Sequence, residues 1–355
     1  MKKTSRQKTV KIKTKRVGIG FTEIAEACGV SAMTVSRALR PGASISETTR
    51  KKILATAEKL GYRINARQGR PRKDEIISRP VVDVVISTAT SLSGMFFSKL
   101  LVEIEQELNA REHDCAIRCC GIGYADFVSL CNTLRLSRAK KFIILGYFPV
   151  DQLKTLLNTV PKAVLVDHAG DPRLEESCET ITTDYAEAAR KAVRHLLKIK
   201  RKRIVLLRGL KDHYFTRDTE RGYREALTAH HIEIDESLFL DVDFTAKSAN
   251  EAIRDALETG LYFDAVFTND EMALGVLRAL STAGKRVPED VAIVGCDNLP
   301  MGEQTIPSLT TISVDIKKMA GLAVERLLSE KCNDSMQNIQ LIPTLIERKS
   351  THIGE

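Results

Sequence analysis

The chain has 355 residues, enough for two or three domains, and its apolar fraction of 43% suits a protein with a substantial core. Charge is uneven: residues 1–73 hold 19 Lys and Arg against 4 Asp and Glu, a net of +15, while residues 74–355 carry −7. This points to a polyanion met through the N-terminal region. It argues against a membrane protein or a secreted disulfide scaffold, because no apolar run approaches the ~18 residues of a span, residues 1–16 lack a signal-type apolar core, and the eight cysteines are scattered.

In chain order, residues 1–18 are basic without apolar periodicity and read as a disordered arm. Three short helices follow. The first runs from Phe21 to Cys28 with Ile24, Ala25 and Cys28 on one face. The second runs from Ala32 to Arg40, N-capped by Ser31, with Val35, Ala38 and Leu39 inward. The third runs from Glu47 to Leu60, N-capped by Ser46, with Ile53, Leu54, Ala57 and Leu60 as its stripe and Gly61 past its end. Residues 63–80 carry Gly69, Pro71 and Pro80 among many charges and read as a linker. From Val81 onward, β-rich runs at 81–87, 115–120, 141–146, 163–167, 203–207, 264–268 and 291–295 alternate with amphipathic stretches at 97–111, 184–198, 217–230, 246–258 and 270–283. Such alternation predicts parallel, doubly wound α/β structure, long enough for two lobes, with ligands at the carboxyl ends of the strands.

Phe21–Arg40 has the layout of a helix-turn-helix: a short helix, a Gly29-Val30-Ser31 turn, and a second helix opening on small and polar residues. Gly29 suits the turn's backbone. Residues 32, 33, 34 and 37 project toward a major groove, where Arg37 suits guanine or phosphate and Ala32 and Met33 suit a thymine methyl. This stretch, followed by ISETTRKKILATAEKLGY and Asn65, resembles the headpiece of the LacI/GalR family of transcription regulators. Ordered similarity continues through ITTDYAEAARKAVRHLL, RDTERGYREAL, DAVFTNDEMALG, VPEDVAIVGCDN and IPSLTTISVDIKKMAGLAVERLL.

The resemblance implies a small all-α helix-turn-helix headpiece at 19–62, a hinge at 63–80, and an α/β two-lobed periplasmic-binding-protein-like domain at 81–350. Its N-lobe is expected at about 81–172 and 313–330, and its C-lobe at about 173–312 and 331–350. It also implies a cytoplasmic homodimer that binds double-stranded operator DNA. The expected function is a ligand-responsive repressor of carbohydrate-metabolism genes, not an enzyme, with a sugar or sugar acid as effector and no cofactor or metal. By the same resemblance Thr22, Ser31, Ala32, Met33, Thr34, Ser36, Arg37, Tyr62 and Asn65 face DNA. The hinge departs from the family pattern: Ile64 stands for the usual proline, and Pro71 falls where a wedging leucine is expected. Gly69-Arg70-Pro71-Arg72 resembles an AT-hook, which would lay Arg70 in an A·T-rich minor groove; a flexible basic linker touching phosphates is the alternative.

For the sensor, the resemblance assigns Phe96, Phe97, Asp167, Arg217, Asn269 and Asp297 to the effector site. Carboxylates, an amide, an arginine fork and stacking rings suit a polyhydroxyl ligand. Cys115, Ile117 and Cys119 alternate and read as buried small hydrophobes, without the second ligand pair of a structural zinc site. Gly121-Ile122-Gly123 is too short for a dinucleotide fingerprint, and no nucleophile sits in a strand–elbow–helix motif.

Overall fold

Three helices form the headpiece: α1 (Phe21–Cys28), α2 (Ala32–Ala38) and α3 (Glu47–Lys59). The computed structural model describes residues 21–39, 45–60, 79–87, 94–121, 123–168, 178–211, 213–329 and 338–352. It divides into two units, Met1–Ser78 and Arg79–Glu355. The headpiece core is Ile24, Ala25, Cys28, Val35, Ala38, Ile53 and Ala57. Local chemistry places the helix starts. Ser31 and Ser46 hold extended backbone, and their hydroxyls accept the N–H groups of Thr34 (3.1 Å) and Thr49 (3.2 Å). Gly29 turns the chain at φ +68°, a conformation that costs any residue with a Cβ about 1 kcal/mol.

The second unit contains two six-stranded sheets. In chain order its elements are β1 (Val81–Ser87), α4 (Met95–Ala110), β2 (Asp114–Cys120), α5 (Tyr124–Arg135), β3 (Lys141–Leu145), α6 (Val150–Thr159), β4 (Ala163–Val166) and β5 (Glu179–Thr183). Then follow α7 (Tyr185–Lys198), β6 (Ile204–Arg208), α8 (Tyr214–Ala229), β7 (Phe239–Asp241), α9 (Ala246–Glu258), β8 (Ala265–Phe267), α10 (Asp270–Thr282) and β9 (Ala292–Cys296). The last are α11 (Met301–Gln304), β10 (Thr310–Ser313), α12 (Ile316–Leu328), β11 (Asn338–Leu341) and β12 (Thr344–Ile346).

The sheet orders are β11-β5-β4-β3-β1-β2 and β12-β10-β9-β8-β6-β7, the same pattern twice. All pairings are parallel except β10 with β12. Both faces of each sheet are covered, which is why the strands read as continuous apolar runs. In the first sheet Val82, Val84 and Ile86 pack with Leu100, Ile104, Met319 and Val324, while Val85, Phe142 and Ile144 face Phe127, Leu130, Leu153 and Leu156.

Two expectations change here. The C-lobe is expected at about 173–312 and 331–350, but β5 and β11 pair within the first sheet. The chain therefore crosses between sheets three times, between β5 and α7, β10 and α12, and β11 and β12. The cysteine strand also differs. β2 is an edge strand, so Cys119 is exposed, Ile117 is 52% exposed and Cys115 is only half-buried. No described helix is long and apolar enough to cross a membrane.

Candidate nucleic-acid interface and effector cleft

On the headpiece, packing of Val35 and Ala38 into the core turns the opposite side of α2 outward. Thr22, Ser31, Ala32 and Arg37 are exposed, Met33 is 68% exposed, and Thr34 and Ser36 are half-buried. The Ser31 and Thr34 hydroxyls lie 2.8 Å apart, so the cap already engages Thr34. Outward chemistry on α2 therefore comes chiefly from Ala32 and Met33 in its first turn and Arg37 in its last. Tyr62, Asn65 and Arg70 lie outside the described residues, as do the arm at 1–18 and nearly all of the hinge.

The second unit holds a cavity at the carboxyl ends of the strands of both sheets. Its lining includes Phe96, Phe97, Asp167, Asn269 and Asp297, five of the six expected effector residues. Phe96 and Phe97, in the first turn of α4, meet edge-on with ring centroids 5.1 Å apart. Asn269 caps α10: its Oδ1 accepts the Met272 N–H at 2.8 Å, which leaves its amide NH2 as the group offered to a ligand.

Asp167 and Asp297 are structural twins. Each follows the third-paired strand of its sheet, each has positive φ (+52° and +112°), and each donates its backbone N–H at 2.8 Å to the neighbouring strand, to Ile181 and Ile312 respectively. Their side chains differ. The Asp167 carboxylate accepts from Tyr185 Oη (2.8 Å) and from Tyr214 Oη, so the end of β4 is tied to the first turns of α7 and α8. Burial pushes the Asp167 carboxyl up to about 6, against the lowering effect of the two phenols. Asp297 receives a hydrogen bond from the buried Cys296 thiol. Burial, then the charges of Asp270 and Asp167, raise its carboxyl well above the ordinary range.

Arg217 is the exception. It lies on the solvent stripe of α8, 55% exposed at its side chain, with Nε 3.3 Å from Asp218 Oδ1, and it lines a different surface groove with Arg208, Arg221 and Arg224. The helix period sets this: Phe215, Asp218, Thr219, Gly222 and Tyr223 take the buried face, leaving residues 217 and 221 outside.

Sequence reasoning missed His213, Tyr214, Phe215, Tyr185 and Phe244, all of which line the cavity. His213 caps α8, its Nδ1 accepting the Phe215 N–H at 3.2 Å, and its ring lies 4.4 Å from Tyr214 and 4.8 Å from Phe244. Burial, then the charge of His168, lowers it to about 3, so the ring is neutral and its proton sits on Nε2. The available signal was an Asp-His-Tyr-Phe run between a strand end and a helix start.

These ionisations predict a pH trend. Asp167 (to about 6) and Asp270 (to about 7) keep protons in the fold that an unfolded chain releases near 4. Their contribution to stability is full at low pH and is lost as pH rises through the folded values. His213 and His195, both lowered, act oppositely until about a unit above the ordinary value of 6.5, but Asp297, whose carboxyl is raised well above the ordinary range, works with the other two carboxyls through that interval. The melting temperature of the ligand-free chain should therefore fall between pH 6.5 and about 8. A flat or rising profile over that interval counts against these protonation states.

Two family models match the chain: bacterial regulatory proteins of the lacI family over residues 21–65, and a periplasmic binding protein-like domain over residues 193–351. Between them they cover more than half of it. The chain belongs to the LacI family of bacterial transcription regulators. Among its relatives, catabolite control protein A of Priestia megaterium is 28% identical over 94% of this chain and 100% of that one. The HTH-type transcriptional regulator AscG of Escherichia coli (strain K12) is 26% identical over 86% and 90%. Of solved structures, a transcriptional regulator CelR–cellobiose complex superposes with a TM-score of 0.69 at 27% identity, covering 94% of this LacI-family chain and 100% of the other. A lac repressor dimer bound to operator and the anti-inducer ONPF gives the same TM-score of 0.69 at 24% identity, and shares the fold.

Proposed function

We infer that this LacI-family regulator is a homodimeric repressor, not an enzyme, that binds operator DNA through α2 and is controlled by a sugar-like molecule in the cleft between its sheets. The observation that carries this reading is the pairing, in one chain, of an outward-facing Ala32-Met33-Arg37 surface with a cavity lined by aromatic rings and strand-end polar groups. Rings stack on the apolar face of a sugar, and Asn269, Asp297 and His213 supply directional hydrogen bonds around it. The complex of CelR with cellobiose, a relative of the same fold, supports a carbohydrate as the ligand class. Headpiece, linker and sensor are proposed to divide as the family layout implies, with β5 and β11 moved to the N-lobe.

The test selects bound genomic fragments with the full chain and follows one by fluorescence anisotropy across salt and a panel of sugars. Sequence-selective duplex binding that weakens steeply with salt and shifts with at least one sugar is the expected result. Phe97→Ala should retain that DNA binding and lose the response at sugar concentrations that saturate the parent chain. Absence of duplex binding at low salt overturns the reading, as does an unchanged sugar response in Phe97→Ala.

A further inference from the structure

The cleft's charge selects among sugar-like ligands, an inference that rests on its reading as the effector site. Asp297, Asp243, Glu271 and Asp167 all line the cavity, and none of its described lining residues is Lys or Arg. The arginine expected to supply a cation, Arg217, faces another groove. Lys99 and Arg348 are near enough for their charges to act on Asp270, but neither lines the cavity, and Arg348 is bonded to Asn298 (2.9 Å) and Glu303 (2.8 Å).

The twin carboxylates divide the work. Asp167 is occupied by two phenols, whereas Asp297, 6% exposed, takes a hydrogen bond from the Cys296 thiol, and burial beside Asp270 and Asp167 favours its protonated form until a cation arrives to pair with it. A second, independent feature points to the same ligand. His213 is 4% exposed, lines the cavity, and its Nε2 has no hydrogen-bond partner among the described residues. With Nδ1 serving as acceptor for Phe215, Nε2–H is a donor in want of an oxygen.

A carboxylate or phosphate on the ligand would meet a lining of carboxyl groups and, among the described residues, no cation. An ammonium would pair with the buried Asp297 and be favoured by the faces of Phe97, Tyr214 and Phe244, while a ligand hydroxyl would accept from His213. We propose that the effector is a polyhydroxylated amine of the amino-sugar class, its protonated nitrogen held by Asp297 and a hydroxyl oxygen by His213, and that sugar acids and sugar phosphates are rejected.

The test uses the full chain and matched series built on glucose, galactose and mannose: the 2-amino sugar, the parent hexose, the uronic acid and the 6-phosphate. Affinity is read by titration calorimetry, and operator occupancy in parallel. In at least one series the amino sugar should bind about tenfold or more tighter than its parent hexose, with no measurable heat for acid or phosphate. Asp297→Asn should abolish the amine preference and keep the hexose affinity; asparagine tolerates positive φ, so the strand end is preserved. Glu271→Gln, at a half-buried position, is the second charge-removing variant and should reduce the preference in part. Binding of an acid or phosphate as tightly as the parent hexose overturns the proposal, as does an amine preference that survives Asp297→Asn. A hexose that binds and shifts operator occupancy with no amine advantage overturns it while leaving the sugar-responsive reading intact. Silence of operator binding toward every member of every series overturns both.

Discussion

Gly222→Ala should destabilise the sensor by on the order of 3 kcal/mol, lowering its melting temperature by roughly 6–12 °C. A Cβ at this position would lie 2.0 Å from the carbonyl oxygen of Ala186 and 2.8 Å from its Cα, so the obstruction is backbone and cannot rotate away. Helices α7 and α8 meet through this glycine, with buried Ala188, Ala189, Ala192 and Tyr223 packed around the crossing. Gly275 does the same for α9 and α10, where a Cβ would stand 2.0 Å from Ala246 O. Gly321, within α12, is the internal control. Its Cβ would meet only the Glu107 carboxyl carbon at 3.9 Å, so Gly321→Ala should be neutral or stabilise by about 0.5–1 kcal/mol through helix propensity. Thermal melts of the two variants decide the matter: equal losses at Gly222 and Gly321 would mean that the close helix crossing is not what the glycine provides.

Arg37→Ala should weaken operator binding by about 1–3 kcal/mol, roughly ten- to a hundredfold, without changing the headpiece fold. Arg37 is exposed on the face of α2 opposite the buried Val35 and Ala38, so its removal leaves the core untouched. The pattern of the loss reports the contact. If the guanidinium reads a guanine, discrimination at one base pair relaxes and the salt dependence barely changes. If it neutralises a phosphate, every sequence loses equally and the salt slope drops by about one. Anisotropy titrations on the selected operator and on single-base variants, at several salt concentrations, separate these. Undiminished affinity in Arg37→Ala would remove this side chain from the DNA contact.

Local rules made the headpiece legible. Ser31 and Ser46 as caps, Gly29 as the left-handed turn and the stripe through Ile53 and Ala57 each act over a few residues, and each is where the sequence places it. Buried parallel strands were equally visible, since apolar runs such as Val81–Ser87 and Lys141–Leu145 are covered on both faces. Glu179–Thr183 escaped notice because its threonines disguise a buried strand, and Asn338–Leu341 because an edge strand is only partly covered. Their membership of the first sheet is a long-range fact with no local signature. The outward placement of Arg217 was not legible because a helix sorts its residues by angle, and the buried face of this one is taken by Phe215, Asp218, Thr219 and Gly222. His213 was overlooked for the opposite reason. A single histidine in a polar loop carries no pattern until the rings of Tyr214 and Phe244 are seen around it.

The three crossings between the sheets also constrain how the sensor is made. β1 to β4 of the first sheet are complete by residue 166, yet that sheet takes its last strand from residues 338–341, and the second sheet takes its own from residues 344–346. Neither lobe can close its hydrogen-bond ladder before residues 338–346 have been made, because both outer strands belong to that one short segment. The emerging first lobe must wait with β5 unpaired on one side, an open template for mispairing. A cut between α12 and β11 would therefore strip an edge from both lobes at once, so the two should be gained and lost together as a single cooperative folding unit.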